Sequence, residues 1–470
     1  MIIGDIADGI ARGVEGVTST VSEAFFEPVL RLGVTGLSRS GKTIFITSLV
    51  ANLMNRARMG GLSAHSEGRI EAAYLQPQPD DTVPRFDFET HLGAMTGPQP
   101  HWPDSTRAIS ELRLSFKVRP SGLLGGLQGP RTLHLDIVDY PGEWLLDLGL
   151  LDQSFEEWSA ETLKRIEHRP QAEAFLGLLK ETDPKARLNE PAAKALADAF
   201  TQYLNAARED GFSDCTPGRF LLPGDLAGSP VLTFAPLSPG GDVRRSLARE
   251  FSRRFEAYKR EVVKPFFREH FQRIDRQVVL VDALGAIHAG PQAVEDMRLA
   301  LGGILSTFRP GRNSFLNSLL TGKRVERILV AATKADHLHH TQHPAMTGFA
   351  EALLKDALGR AQYAGAKTRA MAIASLRATT EETRTVNGDE LAMVRGVLSE
   401  TGKSAAFYPG DLPIDPGALL TPARQGADAW LSGDYGQMRF DPQPVSLKPG
   451  EGPPHIRLDR AAEFLIGDRL

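Results

Sequence analysis

The stretch Gly36-Leu-Ser-Arg-Ser-Gly41-Lys42-Thr43 constrains the fold of this chain more than any other. It fits G-x-x-x-x-G-K-[ST], a loop whose glycines let backbone N–H groups converge on one concavity that holds phosphate oxygens. Such a loop belongs between a buried strand and a helix, because the helix N-terminus attracts anions. The flanks agree: Leu32-Gly-Val-Thr35 suits a short buried strand, and Ile44 to Met54 suits a helix. Gly36, Ser38, Arg39, Ser40 and Gly41 would then wrap phosphate, Lys42 would reach the β- and γ-phosphates, and Thr43 would offer a hydroxyl to Mg²⁺. A bound nucleoside triphosphate is implied.

The 470 residues give room for more than one domain, and 41% hydrophobic with 24% charged residues supplies an ordinary globular core. The formal net charge of −4 gives no global attraction to nucleic acid, and no nucleic-acid partner is expected. One cysteine, Cys215, excludes an intrachain disulfide and a multi-cysteine zinc cage, which suits a reducing compartment. The N-terminus lacks a basic segment followed by an apolar run, and no stretch approaches the ~18 apolar residues of a spanning helix. A cytoplasmic setting is expected.

Five segments follow from the pattern along the chain. In residues 1–30, Ile6, Ile10, Val14, Val17, Val21 and Phe25 recur at steps of three and four, predicting an amphipathic helix. Its acids Asp5, Asp8, Glu15 and Glu23 outweigh Arg12, which favours packing on the core over peripheral contact with a membrane. Residues 31–149 form the first part of a nucleotide-binding core. They hold a polar, proline-rich passage over 60–104 and a hairpin from Leu112–Val118 and Thr132–Val138, with a mobile tip at Ser121–Gly129.

Residues 150–272 are helix-forming and strand-poor, for example over Ala172–Lys180, Ala192–Ala207 and Val243–Lys264, and read as an inserted all-helical domain through which a protein partner would dock. There Leu247, Phe251, Phe255, Tyr258 and Val262 make an apolar stripe, and Arg244, Arg245, Arg249, Arg253, Arg254, Lys259 and Arg260 read as a solvated basic face. Residues 273–380 return to alternation, with strands at Val278–Asp282, Ile328–Ala332 and Ala370–Ala374 separated by helical pattern at 292–307 and 347–362. Residues 381–470 read as a Gly- and Pro-rich extension wrapping the core, ending in a helix over Leu458–Leu465. The expected fold class is α/β, a mostly parallel sheet flanked by helices.

Two further motifs give the loop its chemistry. Asp139-Tyr-Pro-Gly142 is a D-x-x-G match directly after a hydrophobic strand, so Asp139 can hold Mg²⁺ through water and the Gly142 N–H can meet a γ-phosphate. Thr333-Lys334-Ala-Asp336 is a T-K-x-D variant of the guanine-reading N-K-x-D. Guanine offers a ring N–H and an amino group on one edge, and the Asp336 carboxylate can accept both; adenine has no such pair. Lys334 would lay its methylene stem along the purine, with its ammonium near the loop backbone. Ser375 stands where a loop closes over the base. GTP and GDP are therefore the expected ligands.

Thr106, in Pro-Asp-Ser-Thr-Arg-Ala, is placed to ligate Mg²⁺ only while the γ-phosphate is present, or equally to cap a short helix. Glu143 follows Gly142 where glutamine is the best-known water-orienting residue; a carboxylate can accept a proton from water but cannot donate as an amide does. Arg39 and Arg107 are the candidates to supply positive charge in cis. The run His337-Leu-His339-His340-Thr-Gln-His343 contains no carboxylate or cysteine to complete a ligand set, and reads as a polar connector.

Together, Gly36–Thr43, Asp139-Tyr-Pro-Gly-Glu143, the segment Ala331–His343 and the ending Ile456-Arg-Leu-Asp-Arg-Ala-Ala-Glu-Phe-Leu-Ile-Gly-Asp468 resemble the YcjX-like family of bacterial stress-associated P-loop NTPases, across essentially the whole chain. The resemblance implies a Ras-like core with an added helical domain, GTP and GDP binding with Mg²⁺, and switch movement on loss of the γ-phosphate. It also implies that Glu143 is normal in the family. Two rivals remain at this level: an ATPase doing mechanical or chaperone work, and a nucleotide-gated interaction module with negligible turnover.

Overall fold

The computed structural model describes residues 27–37, 39–104, 108–121, 129–241, 243–270, 273–307, 325–386, 388–431 and 435–470. Ser38, Thr106, Arg107, the N-terminal helix expected before residue 27 and most of the expected hairpin tip lie outside the described residues.

The main sheet holds β1 (Val29–Gly36), β2 (Ile70–Gln76), β3 (Ser110–Val118), β4 (Arg131–Asp139), β5 (Arg276–Val281), β6 (Arg327–Ala332) and β7 (Lys367–Ala372), in the spatial order β2-β3-β4-β1-β5-β6-β7. The five strands from β4 to β7 run parallel, and β3 and β2 are antiparallel additions at one edge. All six residues of β5 and five of the six in β6 are buried, the near-continuous apolar run of a parallel sheet covered on both sides.

One face carries the helix Lys42–Met54, whose Phe45, Ile46, Leu49, Val50 and Leu53 share a core with Leu32, Val34, Val278 and Leu280. The C-terminal helix Leu458–Ile466 enters the same core through Leu458, Ala461 and Leu465. It is locked there by Arg276, fully buried, which donates from Nε to the Leu465 carbonyl at 3.0 Å and from its guanidinium to Asp468 at 3.0 Å.

Between β4 and β5 the described residues form helices and turns plus one isolated bridge, Arg187 to Ser246. The main helices are Phe155–Ile166, Glu173–Lys180, Glu190–Glu209 and Leu247–Tyr258. Ser154 and Glu157 start the first with a reciprocal capping box. Trp158 lies at the centre, stacked on Phe255 with centroids 5.2 Å apart and edge-on to Phe200 and Phe234.

Two points differ from expectation. The helical stretch shares one apolar core with the second face of the sheet, Val279, Val281, Ile328 and Val330 included, and does not close a core of its own. The basic side of Leu247–Tyr258 is only partly solvated. Arg254 is buried against Glu190 and Glu250, and Lys259 is buried with its ammonium 2.8 Å from the Gln153 carbonyl and 2.7 Å from Glu256. Each cation removed from water there has a partner.

The polar passage over 60–104 contains β2 and the helix Phe88–Thr96, begun by Asp87 accepting from the Thr90 N–H. The pattern over 347–362 breaks at Leu354 into His343–Leu353 and Lys355–Tyr363. The C-terminal extension holds a second, antiparallel sheet of β8 (Thr380–Val386), β9 (Asp389–Leu398), β10 (Ser404–Phe407) and β11 (Phe440–Asp441), centred on β9. Among the described residues no helix is long and apolar enough to cross a membrane.

Candidate functional site

The site lies at the carboxyl ends of the parallel strands, where ligands of open α/β sheets gather. At the end of β1 the chain turns through Arg39, with φ of 62°, and Gly41, with φ of 84°, before the helix Lys42–Met54 begins. Left-handed residues alternating with others give the kind of backbone concavity that can hold an anion. Gly36 has no room for a side chain, since a β-carbon there would lie 2.2 Å from the Ser40 Oγ and 2.8 Å from the Leu280 carbonyl. Lys42 donates from Nζ to the Gly36 carbonyl at 2.9 Å and so folds across its own loop. Thr43 and Ser40 are buried beside it.

β4 delivers the second segment. Asp139, buried at its last position, is in register with Val34 of β1, and Gly142 follows at the start of the short helix Gly142–Leu146. Gly142 sits against the Gly36 carbonyl, so the two segments that would meet phosphate touch each other. Glu143, also buried, is covered from the helical stretch: a β-carbon on Gly218 would lie 2.2 Å from its carbonyl oxygen.

The third segment follows β6. The Thr333 N–H donates to the Val281 carbonyl at 2.9 Å, and the Ala335 N–H donates to the Ile373 carbonyl at 3.0 Å, which pins the loop between β5 and β7. Lys334 is held at φ of 63°, and its ammonium pairs with the carboxylate of Asp282 rather than with the loop backbone. Asp282 also caps the helix Ala283–Ala289, so that helix and the lysine are tied to one carboxylate. Asp336 is buried; its Oδ2 accepts from the Ala378 N–H at 2.9 Å, and its carbonyl accepts from the Thr379 hydroxyl.

A cavity of about 540 Å³ joins these parts. Arg39, Ser40, Gly41 and Glu143 line it on the phosphate-loop side, and Thr333, Lys334, Asp336 and Ser375 on the other. The lining does not include Lys42, Thr43 or Asp139. Ser375 is almost fully buried on the loop after β7, and that loop is fastened from behind: Ala374 exchanges hydrogen bonds with Ile456 at 3.1 and 2.8 Å, and the Arg377 N–H donates to the Pro454 carbonyl at 2.8 Å. Nothing in the local sequence around Ser375 announces this buttress, which arrives from about eighty residues downstream.

Trp102, Arg439 and Phe440 also line the cavity, and Trp102 donates from its indole N–H to the Phe440 carbonyl at 2.7 Å. A periodicity reading passed over them because Trp102 and Arg439 sit in connectors and Phe440 lies on the two-residue strand β11, too short to show a period.

The histidine run divides. His337 packs edge-on against Phe440, and His343 contacts the Ala335 carbonyl through Nε2 at 2.7 Å; burial holds both imidazoles below their usual pKa. His339 and His340 turn the other way, toward Glu381 on β8, which supplies the carboxylate the run itself lacks.

A phosphate loop after the central strand, D-x-x-G after its neighbour and T-K-x-D two strands away define an α/β P-loop protein, consistent with a Ras-like GTPase. The chain belongs to the YcjX-like family, DUF463, which it matches over residues 30–470. It is 39% identical over 458 residues to the Ras-like GTPase YcjX of Escherichia coli (strain K12), covering 94% of this chain and 96% of that protein. It is 36% identical over 468 residues to the Ras-like GTPase YcjX of Shewanella oneidensis (strain MR-1), covering 94% of each.

Proposed function

We propose that this chain binds GTP and GDP with Mg²⁺ and hydrolyses GTP as a conformational switch. The observation that carries the reading is the single cavity lined by Ser40 and Gly41 at one side and by Asp336 and Ser375 at the other. The names of the two relatives support the same nucleotide class. On this reading Gly36 to Thr43, including Ser38, wrap the phosphates, and Gly142 senses the terminal one. Thr333, Lys334, Asp336 and Ser375 hold the base.

The oxygen donors available suit Mg²⁺, a hard ion: the buried Thr43 hydroxyl, the buried Asp139 carboxylate and the hydroxyl of Thr106. When bound, the ion would neutralise charge on the β- and γ-phosphates. Glu143 orients the attacking water, and Arg39 and Arg107 offset developing charge. We read residues 150–272 as the inserted helical unit that passes switch movement to a protein partner, and residues 381–470 as an extension packed on the core. A cytoplasmic setting rests on composition, and a role in bacterial stress on the family resemblance.

Calorimetric affinities for GDP and ADP test the assignment. Wild type is expected to favour GDP at least about a hundredfold, and Asp336→Ala to lose most of that preference. A preference for ADP in wild type would make the protein an ATPase. Lys42→Ala is expected to lose tight binding of either nucleotide.

A second reading, a nucleotide-gated interaction module, is favoured by one observation: Glu143 offers a carboxylate where an amide would orient water, and its backbone is clamped beneath Gly218. Single-turnover GTP hydrolysis separates the two, since a rate no faster than the uncatalysed reaction selects the module.

A further inference from the structure

Beyond the nucleotide cavity, His339, His340 and Glu381 form a cluster in which one ligand atom from each lies within 4.8 Å of the others. His340 Nδ1 is 2.7 Å and His339 Nε2 is 3.8 Å from the same oxygen, Oε2 of Glu381. Donors around a tetrahedral zinc-sized ion, at ~2.0 Å from it, stand ~3.3 Å apart. The two separations to Glu381 bracket that value. The geometry points to a divalent transition-metal site of the zinc class, formed by His339, His340 and Glu381, that clips the loop after the T-K-x-D motif to the C-terminal sheet.

The three side chains are positioned without the ion. Glu381 stands on β8, paired in register with the fully buried Val394 of β9. His339 is oriented by Thr341, whose hydroxyl lies 2.9 Å from Nδ1. The Thr341 backbone N–H also reaches Nδ1, at 3.5 Å; in the metal-binding tautomer Nδ1–H instead donates to the Thr341 hydroxyl and Nε2 faces Glu381, the outer-shell arrangement that fixes ligating histidines. The loop and the strand are already joined beside the cluster, because Asp336 accepts from Ala378 and Thr379.

Exposure is graded across the set. The side chains of His339 and Glu381 are 11% and 24% exposed, and that of His340 is 63% exposed, so the cluster opens on one side to an entering ion and to water as a fourth ligand. Two imidazoles with one carboxylate favour zinc, cobalt or nickel over Mg²⁺, which seeks oxygen. Arg377 opposes cation binding from 3.8 Å, but it reaches the other carboxylate oxygen, Oε1. The set is distinct from the residues that would hold nucleotide-bound Mg²⁺.

The test uses full-length protein, freed of nucleotide and treated with chelator, titrated with Co²⁺ and followed by visible d–d absorption. One equivalent is expected to bind with a tetrahedral spectrum. His340→Ala and Glu381→Gln are expected to weaken binding at least about tenfold, whereas Lys42→Ala leaves it unchanged. His340 is exposed, so its replacement leaves packing intact, and the melting temperature of each metal-free variant checks folding. Zn²⁺ is expected to raise the melting temperature of wild type and not that of His340→Ala. Failure of wild type to take up Co²⁺, or equal uptake by His340→Ala and Glu381→Gln, overturns the proposal. Because Lys42→Ala separates the two sites, neither result bears on the nucleotide assignment.

Discussion

A β-carbon placed on Gly142 would lie 2.4 Å from the carbonyl oxygen of Gly36. The glycine of the D-x-x-G segment therefore rests directly on the phosphate loop, backbone against backbone, and movement of either is felt by the other. Gly142→Ala is expected to separate them, since no flexible side chain is there to yield. Affinity for a non-hydrolysable GTP analogue should fall about tenfold or more while GDP affinity changes less, measured with fluorescent nucleotides.

Gly218 plays a comparable part on the outer side of Glu143. Its missing side chain lets the helical stretch close over the Glu143 carbonyl. Gly218→Ala is expected to displace Glu143 and slow single-turnover GTP hydrolysis about tenfold, with nucleotide affinity within about twofold of wild type.

Asp147 gives a pH signature. It is fully buried, accepts from the Tyr258 hydroxyl at 2.5 Å and from the Gly218 N–H at 2.7 Å, and burial pushes its carboxyl up to about 7 against these hydrogen bonds and the nearby Arg219 charge. A carboxyl raised on folding favours the folded state while protonated. That stability is complete below the ordinary aspartate pKa and is lost as pH rises through about 7. Asp147→Asn removes the dependence, so its melting temperature should exceed that of wild type at pH 8.5, with the gap closing as pH falls below 7. A constant difference across that range would contradict the assignment.

Trp158 anchors the aromatic cluster with 2% exposure. Trp158→Ala is expected to cost about 3–5 kcal/mol by urea denaturation, and Trp158→Phe markedly less, because the stacking surface on Phe255 is largely kept.

The strands that carry the motifs were legible because apolar residues run or alternate up to each motif: β1 ends on Gly36, β4 on Asp139 and β6 just before Thr333. β2 was hidden because Ile70-Glu-Ala-Ala-Tyr-Leu-Gln76 is an edge strand with one fully buried residue, and it offers neither clean alternation nor a β-branched run. β8 and β9 were hidden for a related reason: Thr380-Glu-Glu-Thr-Arg-Thr-Val386 is polar on both faces and is held by cross-strand pairing, including Glu382 with Arg395 at 2.7 Å. The burial of Arg254 and Lys259 could not be read from their own helix, since Glu190 and the Gln153 carbonyl come from elsewhere in the chain. The histidine run was judged by its neighbours in sequence, and Glu381, forty-one positions from His340, was beyond that horizon.

The hydrogen bonds between Ala374 and Ile456 carry a consequence for how the molecule is made. A ribosome delivers the phosphate loop early and the Ser375 loop much later, yet that loop gains its backing only when residues 454–456 emerge. A nascent chain thus lacks the backing of the Ser375 loop until most of the sequence has been made. On the proposed reading, the end of the cavity that would hold the base is therefore completed only after residues 454–456 have been added.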